Sequence, residues 1–188
     1  MKWQPLTVVS RKEFIQLLRQ YVKKPLKRFV DKVILHHTDK PRYKDWERKP
    51  DASYWLKAID RAHRMSGYLN ATMIGYHVVI FPDGSIGLGR PLEKIGAHCR
   101  GMNQTSIGVA LFGCFNKGED KMSPQQYISL KYVVASLLVV IGQDENSLYF
   151  HRNFSSTDCP GTSMDLAITR EIIKAVIPEA KEMLREEK

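Results

Sequence analysis

The sequence predicts an α/β protein in which a single mixed central β-sheet is flanked by helices, with an extra helix at the N-terminus. Short apolar runs typical of buried strands alternate with longer segments in which apolar residues recur at helical spacing. Their predicted order, α-β-α-β-β-β-α-β-α, favours one sheet covered by helices. With 188 residues, the chain is long enough to form one domain around a hydrophobic core.

The first predicted element is a helix over residues 10–24. Ser10 begins a capping-box sequence and Pro25 ends the helix. The apolar residues of this segment recur at helical spacing and are Phe14, Leu17, Leu18 and Tyr21. Because so short a helix cannot bury a core alone, we predict that residues 1–32 form a basic extension docked on a main domain of residues 33–188.

Residues 33–38 have the pattern of a buried strand whose polar end emerges into a cleft. Strand alternation places His36 and His37 on opposite faces, so only one of them can point at a given metal ion. A polar loop is predicted over residues 39–51 and a helix over residues 52–66. The predicted buried stripe of this helix is Trp55, Ile59 and Ala62. Gly67 is the predicted C-terminal stop.

Further strands are predicted over residues 74–81, 86–90, 107–113 and 148–150. Residues 82–85, Pro-Asp-Gly-Ser, form a turn between the first two. Ser123 can cap a long helix that ends at Gly142. The predicted core face of that helix is Tyr127, Leu130, Val134, Leu137 and Ile141. Residues 165–186 predict a C-terminal helix that is interrupted at Pro178.

The net charge is +9, and residues 1–50, with 14 Lys and Arg against 5 Asp and Glu, account for all of it. Such a localised excess favours a polyanionic partner, although a solvated face without a partner is the alternative.

An odd count of three cysteines argues against a disulfide framework. Because the sequence has no signal-peptide pattern and no transmembrane segment, we expect synthesis in the cytoplasm without a cleaved signal.

A histidine and a cysteine, His151 and Cys159, flank a polar loop that follows the last predicted strand. Imidazole and thiolate are both good zinc ligands. Together with a histidine of the His36–His37 pair, they would form a set of three protein ligands that leaves one position open for water, as in catalytic zinc sites. The alternative is a loop histidine and a small buried thiol without a metal.

Six short motifs follow one another along the chain: VILHHT at 33–38, IGYHVVI at 74–80, PDGS at 82–85, GAH at 96–98, NQTSIGV at 103–109 and HRNFSSTDCPG at 151–161. In this order they resemble the zinc-dependent N-acetylmuramoyl-L-alanine amidases. That family includes short phage amidases and peptidoglycan recognition proteins. The resemblance extends from about residue 33 to residue 166, which is most of the chain.

The resemblance implies one zinc ion per chain, held by His36, His151 and Cys159, and a catalytic role for Tyr76. Many phage members carry a lysine where this chain has Thr157, whereas enzymatic recognition proteins match this chain there. Thr157 is therefore expected to act as a weaker, neutral hydrogen-bond donor. The positions that we expect to line the substrate groove are Thr38, His63, Arg90, His98 and Asn103.

The resemblance also implies hydrolysis of the amide bond between N-acetylmuramic acid and L-alanine in peptidoglycan. Zinc lowers the pKa of a bound water towards about 7, and a tyrosine hydroxyl can stabilise the developing oxyanion. We expect a monomeric phage or prophage endolysin that reaches the cell wall after release. A bacterial enzyme of wall recycling or remodelling is the alternative setting.

Two other classes compete with this interpretation. Non-catalytic recognition modules bind peptidoglycan without cutting it, but they typically lose the cysteine ligand that this chain keeps as Cys159. A nucleic-acid partner is not expected, because no RNA- or DNA-binding motif accompanies the basic region. Anionic cell-wall polymers are the partner that we expect for residues 1–32.

Overall fold

The computed structural model describes residues 2–66 and 72–185. Its strands are β1 (Thr7–Val9), β2 (Lys32–His37), β3 (Val78–Ile80), β4 (Ile86–Leu88), β5 (Ser106–Leu111) and β6 (Leu148–Phe150). Its α-helices are α1 (Arg11–Lys23), α2 (Tyr43–Arg48), α3 (Ala52–Met65), α4 (Pro124–Val140) and α5 (Leu166–Arg185), with short 3₁₀ turns at Glu145–Ser147 and His151–Asn153. No helix of the described chain is long and apolar enough to cross a membrane.

The six strands form one mixed sheet in the order β1-β4-β3-β5-β2-β6. Strand β2 pairs in parallel with both β5 and β6, and β3 pairs in parallel with β5. Strand β4 runs antiparallel to β1 and β3. The predicted fold class, a single mixed sheet flanked by helices, is confirmed. The carboxyl ends of four parallel strands therefore meet at the same edge of the sheet.

The two faces of the sheet bury separate apolar clusters. Val33 and Leu35 of β2 face a large cluster shared with α1, α4 and α5. The opposite face packs against α3 and includes Ala110 of β5. Ala110 is the register neighbour of His36, so strand alternation places His36 on the α3 side and His37 on the other side.

The N-terminal segment contributes both a strand and a helix. Helix α1 begins with the predicted capping box, in which Ser10 and Glu13 bond to each other's backbone N–H groups. It buries Phe14, Ile15, Leu17, Leu18 and Tyr21 against α4 and α5. Strand β1 pairs with β4 at the edge of the sheet. The sequence did not predict this strand, because its three residues Thr-Val-Val are too few to show alternation. The domain boundary at residue 32 stays a prediction.

The predicted loop over residues 39–51 was wrong in part, because it contains α2. The Asp45 carboxylate accepts a hydrogen bond from the backbone N–H of Arg42 and thereby starts the helix. Trp46 then packs its ring against Phe81 and Phe112, with ring centroids 5.8 and 5.7 Å apart. Tertiary packing therefore stabilises a helix of six residues whose sequence carries little apolar periodicity.

Three other helix predictions need correction. In α3 Ala62 is exposed and Leu56 is buried, while Gly67 lies outside the described residues. In α4 Tyr127 is 38% exposed, whereas the neighbouring Gln126 is buried and its amide group donates to the carbonyls of Ile80 and Phe112. Helix α5 continues through Pro178 without interruption, since buried residues on both sides of it pack on the core.

The predicted strand over residues 74–81 is shorter in the structure and comprises only β3. The preceding residues leave the sheet ladder because their carbonyls accept hydrogen bonds from other loops. Ala97 donates to the carbonyl of Gly75, and Arg90 donates to that of Tyr76. The strands predicted over residues 86–90 and 107–113 likewise end two residues earlier than expected.

Candidate metal centre and active site

His36 and His151 are brought side by side by the parallel pairing of β2 with β6. Leu35 is the register partner of Phe150, and each histidine is the next residue of its chain segment. The two imidazole rings lie with centroids 4.5 Å apart. Two histidines that are far apart in sequence therefore meet at the same edge of the sheet.

The loop after β6 returns Cys159 to the same point. Arg152 holds this loop closed, because its guanidinium donates to the carbonyls of Gly161 and Met164 and its backbone N–H donates to that of Cys159. The Cys159 thiol accepts a hydrogen bond from the backbone N–H of His37 at 3.4 Å. Ligand atoms of His36, His151 and Cys159 all lie within 4.8 Å of one another.

The spacing of the His36 and Cys159 ligand atoms fits a zinc ion. Tetrahedral zinc with a sulfur at about 2.3 Å and a nitrogen at about 2.0 Å requires a nitrogen–sulfur distance of roughly 3.5 Å. The Nδ1 atom of His36 lies 3.6 Å from the Sγ atom of Cys159. Two imidazoles and a thiolate are a donor set that zinc prefers, and three protein ligands leave one position open.

Burial determines the protonation of the three residues. It lowers the pKa of His36 well below the ordinary value and also lowers the pKa of His151, so both imidazoles are neutral at pH 7. Burial raises the pKa of the Cys159 thiol to about 12, against the opposing effect of the His37 N–H bond. Binding of a metal ion through the thiolate therefore requires release of a proton.

Tyr76 lies beside the three residues in a cleft of about 390 Å³. Its ring centroid is 5.2 Å from that of His36 and 5.0 Å from that of His63. Burial raises the pKa of Tyr76, so its hydroxyl stays protonated. No described residue forms a hydrogen bond with this hydroxyl. Thr157 also lines the cleft, and its hydroxyl oxygen accepts a hydrogen bond from the backbone N–H of Cys159.

Of the five predicted groove residues, the structure brings only His98 into this cleft. His98 is buried, and its Nδ1 atom lies 3.0 Å from the Nε2 atom of His36. Asn103 lines an adjoining cavity of about 450 Å³ together with His98 and His151. Its side-chain oxygen accepts hydrogen bonds from the backbone N–H groups of His98 and Cys99.

The other three predicted groove residues bond to the backbone of their own surroundings. The Arg90 guanidinium donates to three loop carbonyls, and the Thr38 hydroxyl donates to the carbonyl of Pro41. The Nδ1 atom of His63 accepts from the N–H of Gly75 while its ring contacts Tyr76. A direct contact of these residues with substrate stays a prediction.

Sequence reasoning missed three polar residues that line the cleft: Asp39, Asn116 and Asp158. Asp158 could have been predicted from the sequence, because it directly precedes Cys159 in the last motif. Asp39 and Asn116 lie just beyond the ends of β2 and β5, in loops without a distinctive pattern. Their place in the cleft follows from the parallel pairing of those strands.

A family model described as N-acetylmuramoyl-L-alanine amidase matches residues 26–162, well over half of the chain. The chain belongs to this family. Among curated relatives, the endolysin of Enterobacteria phage T3 is 31% identical over 121 residues, which are 63% of this chain and 76% of the endolysin. The peptidoglycan-recognition protein SC1a of Drosophila melanogaster is 32% identical over 136 residues, or 71% of this chain and 69% of that protein.

A solved amidase structure supports the same assignment. The N-acetylmuramoyl-L-alanine amidase LysC from Clostridium intestinale URNW superimposes with a TM-score of 0.62 and 27% sequence identity. The superposition covers 77% of this chain and 85% of LysC. The mixed sheet with its helices on both faces is therefore the fold of this amidase family.

Proposed function

We propose that this protein is a zinc-dependent N-acetylmuramoyl-L-alanine amidase that hydrolyses peptidoglycan between N-acetylmuramic acid and L-alanine. The observation that carries the proposal is the set of His36, His151 and Cys159, whose ligand atoms lie within 4.8 Å of one another in a cleft that also contains Tyr76. Membership of the amidase family and the likeness to a phage endolysin support it.

The three ligand residues would hold one zinc ion, which supplies a Lewis acid and lowers the pKa of a water molecule. Tyr76 acts on the substrate itself: its free hydroxyl donates to the amide oxygen as negative charge develops there. The His63 ring contacts the Tyr76 ring edge-on and helps to hold it in place. Thr157 offers a second, neutral hydroxyl at the cleft wall.

The competing function is peptidoglycan recognition without cleavage. The likeness to a recognition protein supports this alternative. Retention of all three ligand residues in a compact arrangement favours the enzyme, because a binding module has no need of a zinc-binding thiol. The likeness to phage endolysins further supports action on the cell wall after release from the producing cell.

The decisive test combines metal content with product analysis on purified peptidoglycan. We expect one zinc per chain and new amino-terminal L-alanine without new reducing sugar ends. The Cys159→Ser variant should lose zinc and activity while keeping the fold, because only its thiol is changed. A folded wild-type protein that binds peptidoglycan and releases no L-alanine termini would establish the recognition function instead.

A further inference from the structure

The imidazole of His36 is engaged at both of its nitrogens. Its Nδ1 atom faces the Sγ atom of Cys159 at 3.6 Å, which is the spacing of two ligands of one zinc ion. Its Nε2 atom points the opposite way and lies 3.0 Å from the Nδ1 atom of His98. With Nδ1 directed at the metal, the ring proton of neutral His36 is on Nε2 and is donated to His98.

The acceptor state of His98 is determined by its other neighbour. Its Nε2 atom lies 3.4 Å from the hydroxyl oxygen of Ser106. The Ser106 hydroxyl already donates its own proton to the carbonyl of Met102 at 2.7 Å, so it can only accept from His98. The proton of His98 is therefore on Nε2, and its Nδ1 atom is free to accept the proton of His36.

The His98 ring is packed against the backbone at two glycines. A Cβ atom at Gly96 or at Gly108 would lie 2.5 Å from the Cδ2 atom of His98, so both glycines are in direct contact with the ring. Asn103 fixes the backbone of His98 from a third side through the N–H groups of His98 and Cys99. The ring is thus held in a slot before any substrate arrives.

We propose that His98 is a positioning residue of the metal centre, which accepts the Nε2 proton of His36 and thereby fixes the tautomer and orientation of this zinc ligand. The inference rests on the proposed zinc amidase function and changes the expected role of His98. Both of its ring nitrogens have partners within the protein, as a residue that orients a ligand requires. Such partners of metal-bound histidines raise metal affinity about 10–100-fold.

The test compares zinc affinities, measured by competition with a chelating indicator, in three folded variants. His98→Leu removes the acceptor and should weaken zinc binding by about 10–100-fold. His98→Asn keeps an acceptor oxygen near the position of Nδ1 and should restore much of the affinity. His77→Gln is the matched control, because His77 is a buried neighbour of His98 that does not contact His36. It should leave zinc affinity unchanged even where it lowers the melting temperature.

A second measurement does not depend on the variants. A long-range ¹H–¹⁵N spectrum of the zinc-loaded wild-type protein should show His36 and His98 each protonated at Nε2. Zinc affinity unchanged in folded His98→Leu, or zinc bound through Nε2 of His36, would overturn the inference while leaving the amidase function intact. Wild-type protein that binds no zinc would overturn both. Equal losses in His98→Leu, His98→Asn and His77→Gln would assign His98 a merely structural role.

Discussion

At the scale of single residues, the cleft contains both the groups of the proposed metal centre and a hydroxyl that is free to donate to a substrate. The ring of Tyr76 contacts both His36 and His63, but its hydroxyl has no partner in the described chain. A donor held in place before the reaction stabilises a developing oxyanion without reorganisation. Tyr76 is therefore the residue at which binding and turnover should separate.

We predict that Tyr76→Phe keeps zinc and substrate binding but lowers kcat by a factor on the order of 10²–10³, because one oxyanion donor is lost. Thr157→Ala should cost less, since its hydroxyl is exposed and already accepts a bond from Cys159. Steady-state kinetics on a soluble muramyl peptide, with zinc content as the control, measure both effects. Full turnover by Tyr76→Phe would contradict the assigned role.

His77 gives the fold a dependence on pH. Burial lowers the pKa of His77 to about 3, although its bond to the carbonyl of Lys94 opposes the effect. Its Nδ1 atom accepts from the N–H of Gly108, and the guanidinium of Arg28 lies 3.3 Å from its Nε2 atom. A proton added to Nδ1 of His77 would therefore face the N–H of Gly108, and the resulting positive charge would lie beside the guanidinium of Arg28.

We predict that His77→Gln flattens the loss of stability in acid. Below pH 6.5 the unfolded chain takes up a proton that folded His77 does not, so stability falls by up to about 1.4 kcal/mol per pH unit until about pH 3. Denaturant unfolding between pH 7 and pH 3 measures the slope. The other buried histidines remain in both proteins, so an identical slope in wild type and variant would refute the assignment.

The residues of the candidate site were predictable to different degrees. His36, His151 and Cys159 stand in motifs whose order is distinctive, and the structure brings their ligand atoms within 4.8 Å of one another. The clamp by Arg152 could not be predicted, because it depends on carbonyls that face inward only after the loop closes. The position of His98 against His36 depends equally on Gly96 and Gly108, which contact the ring only in the folded chain.

At the scale of elements, helix α1 shows when local pattern suffices. Its capping box and apolar spacing predicted both its start and its buried face. Strand β1 and helix α2 were missed because each is too short for a period to be visible and each is stabilised by distant partners. Elements that are stabilised mainly by tertiary contacts therefore cannot be predicted from the local sequence pattern.

We predict that Leu18→Ala lowers the free energy of unfolding by about 2–5 kcal/mol, because Leu18 is fully buried between α1 and the core. Val22→Ala on the same helix is the control, since Val22 is 45% exposed, and it should change stability by no more than about 0.5 kcal/mol. Denaturant unfolding of both variants measures the difference. Equal effects would show that the helix is not docked through this face.

At the scale of the whole molecule, the basic side chains of the N-terminal segment fall into two groups: some bond to backbone carbonyls within the fold, and others are exposed to solvent. The guanidinium of Arg28 donates to the carbonyls of Leu92, Gln104 and Ser106, and that of Arg19 donates to the carbonyl of Met183. These two arginines hold the fold together. By contrast, the side chains of Lys12, Lys24 and Lys27 are exposed, and these lysines remain the proposed contacts for an anionic wall polymer.

We predict that replacing Lys12, Lys24 and Lys27 by glutamine weakens binding to whole cell walls and flattens its salt dependence, because surface charges act over about 8 Å at physiological salt. Hydrolysis of a soluble muramyl peptide should be unchanged. The matched control replaces Lys57, Lys121 and Lys181, which are also exposed, and so removes the same charge elsewhere. Equal binding by both triple variants at low salt would remove the targeting role.

The strand order has a consequence for how the enzyme is made. His36 and Cys159 are 123 residues apart in sequence, and β2 lies between β5 and β6, which are both synthesised after it. At about 5–20 residues per second, a ribosome needs roughly 6–25 s to pass from the first ligand to the last. A nascent chain cannot hold the proposed zinc ion with all three ligand residues during that interval. Loading of the proposed metal ion therefore requires that β5, β6 and the loop carrying Cys159 have all been synthesised.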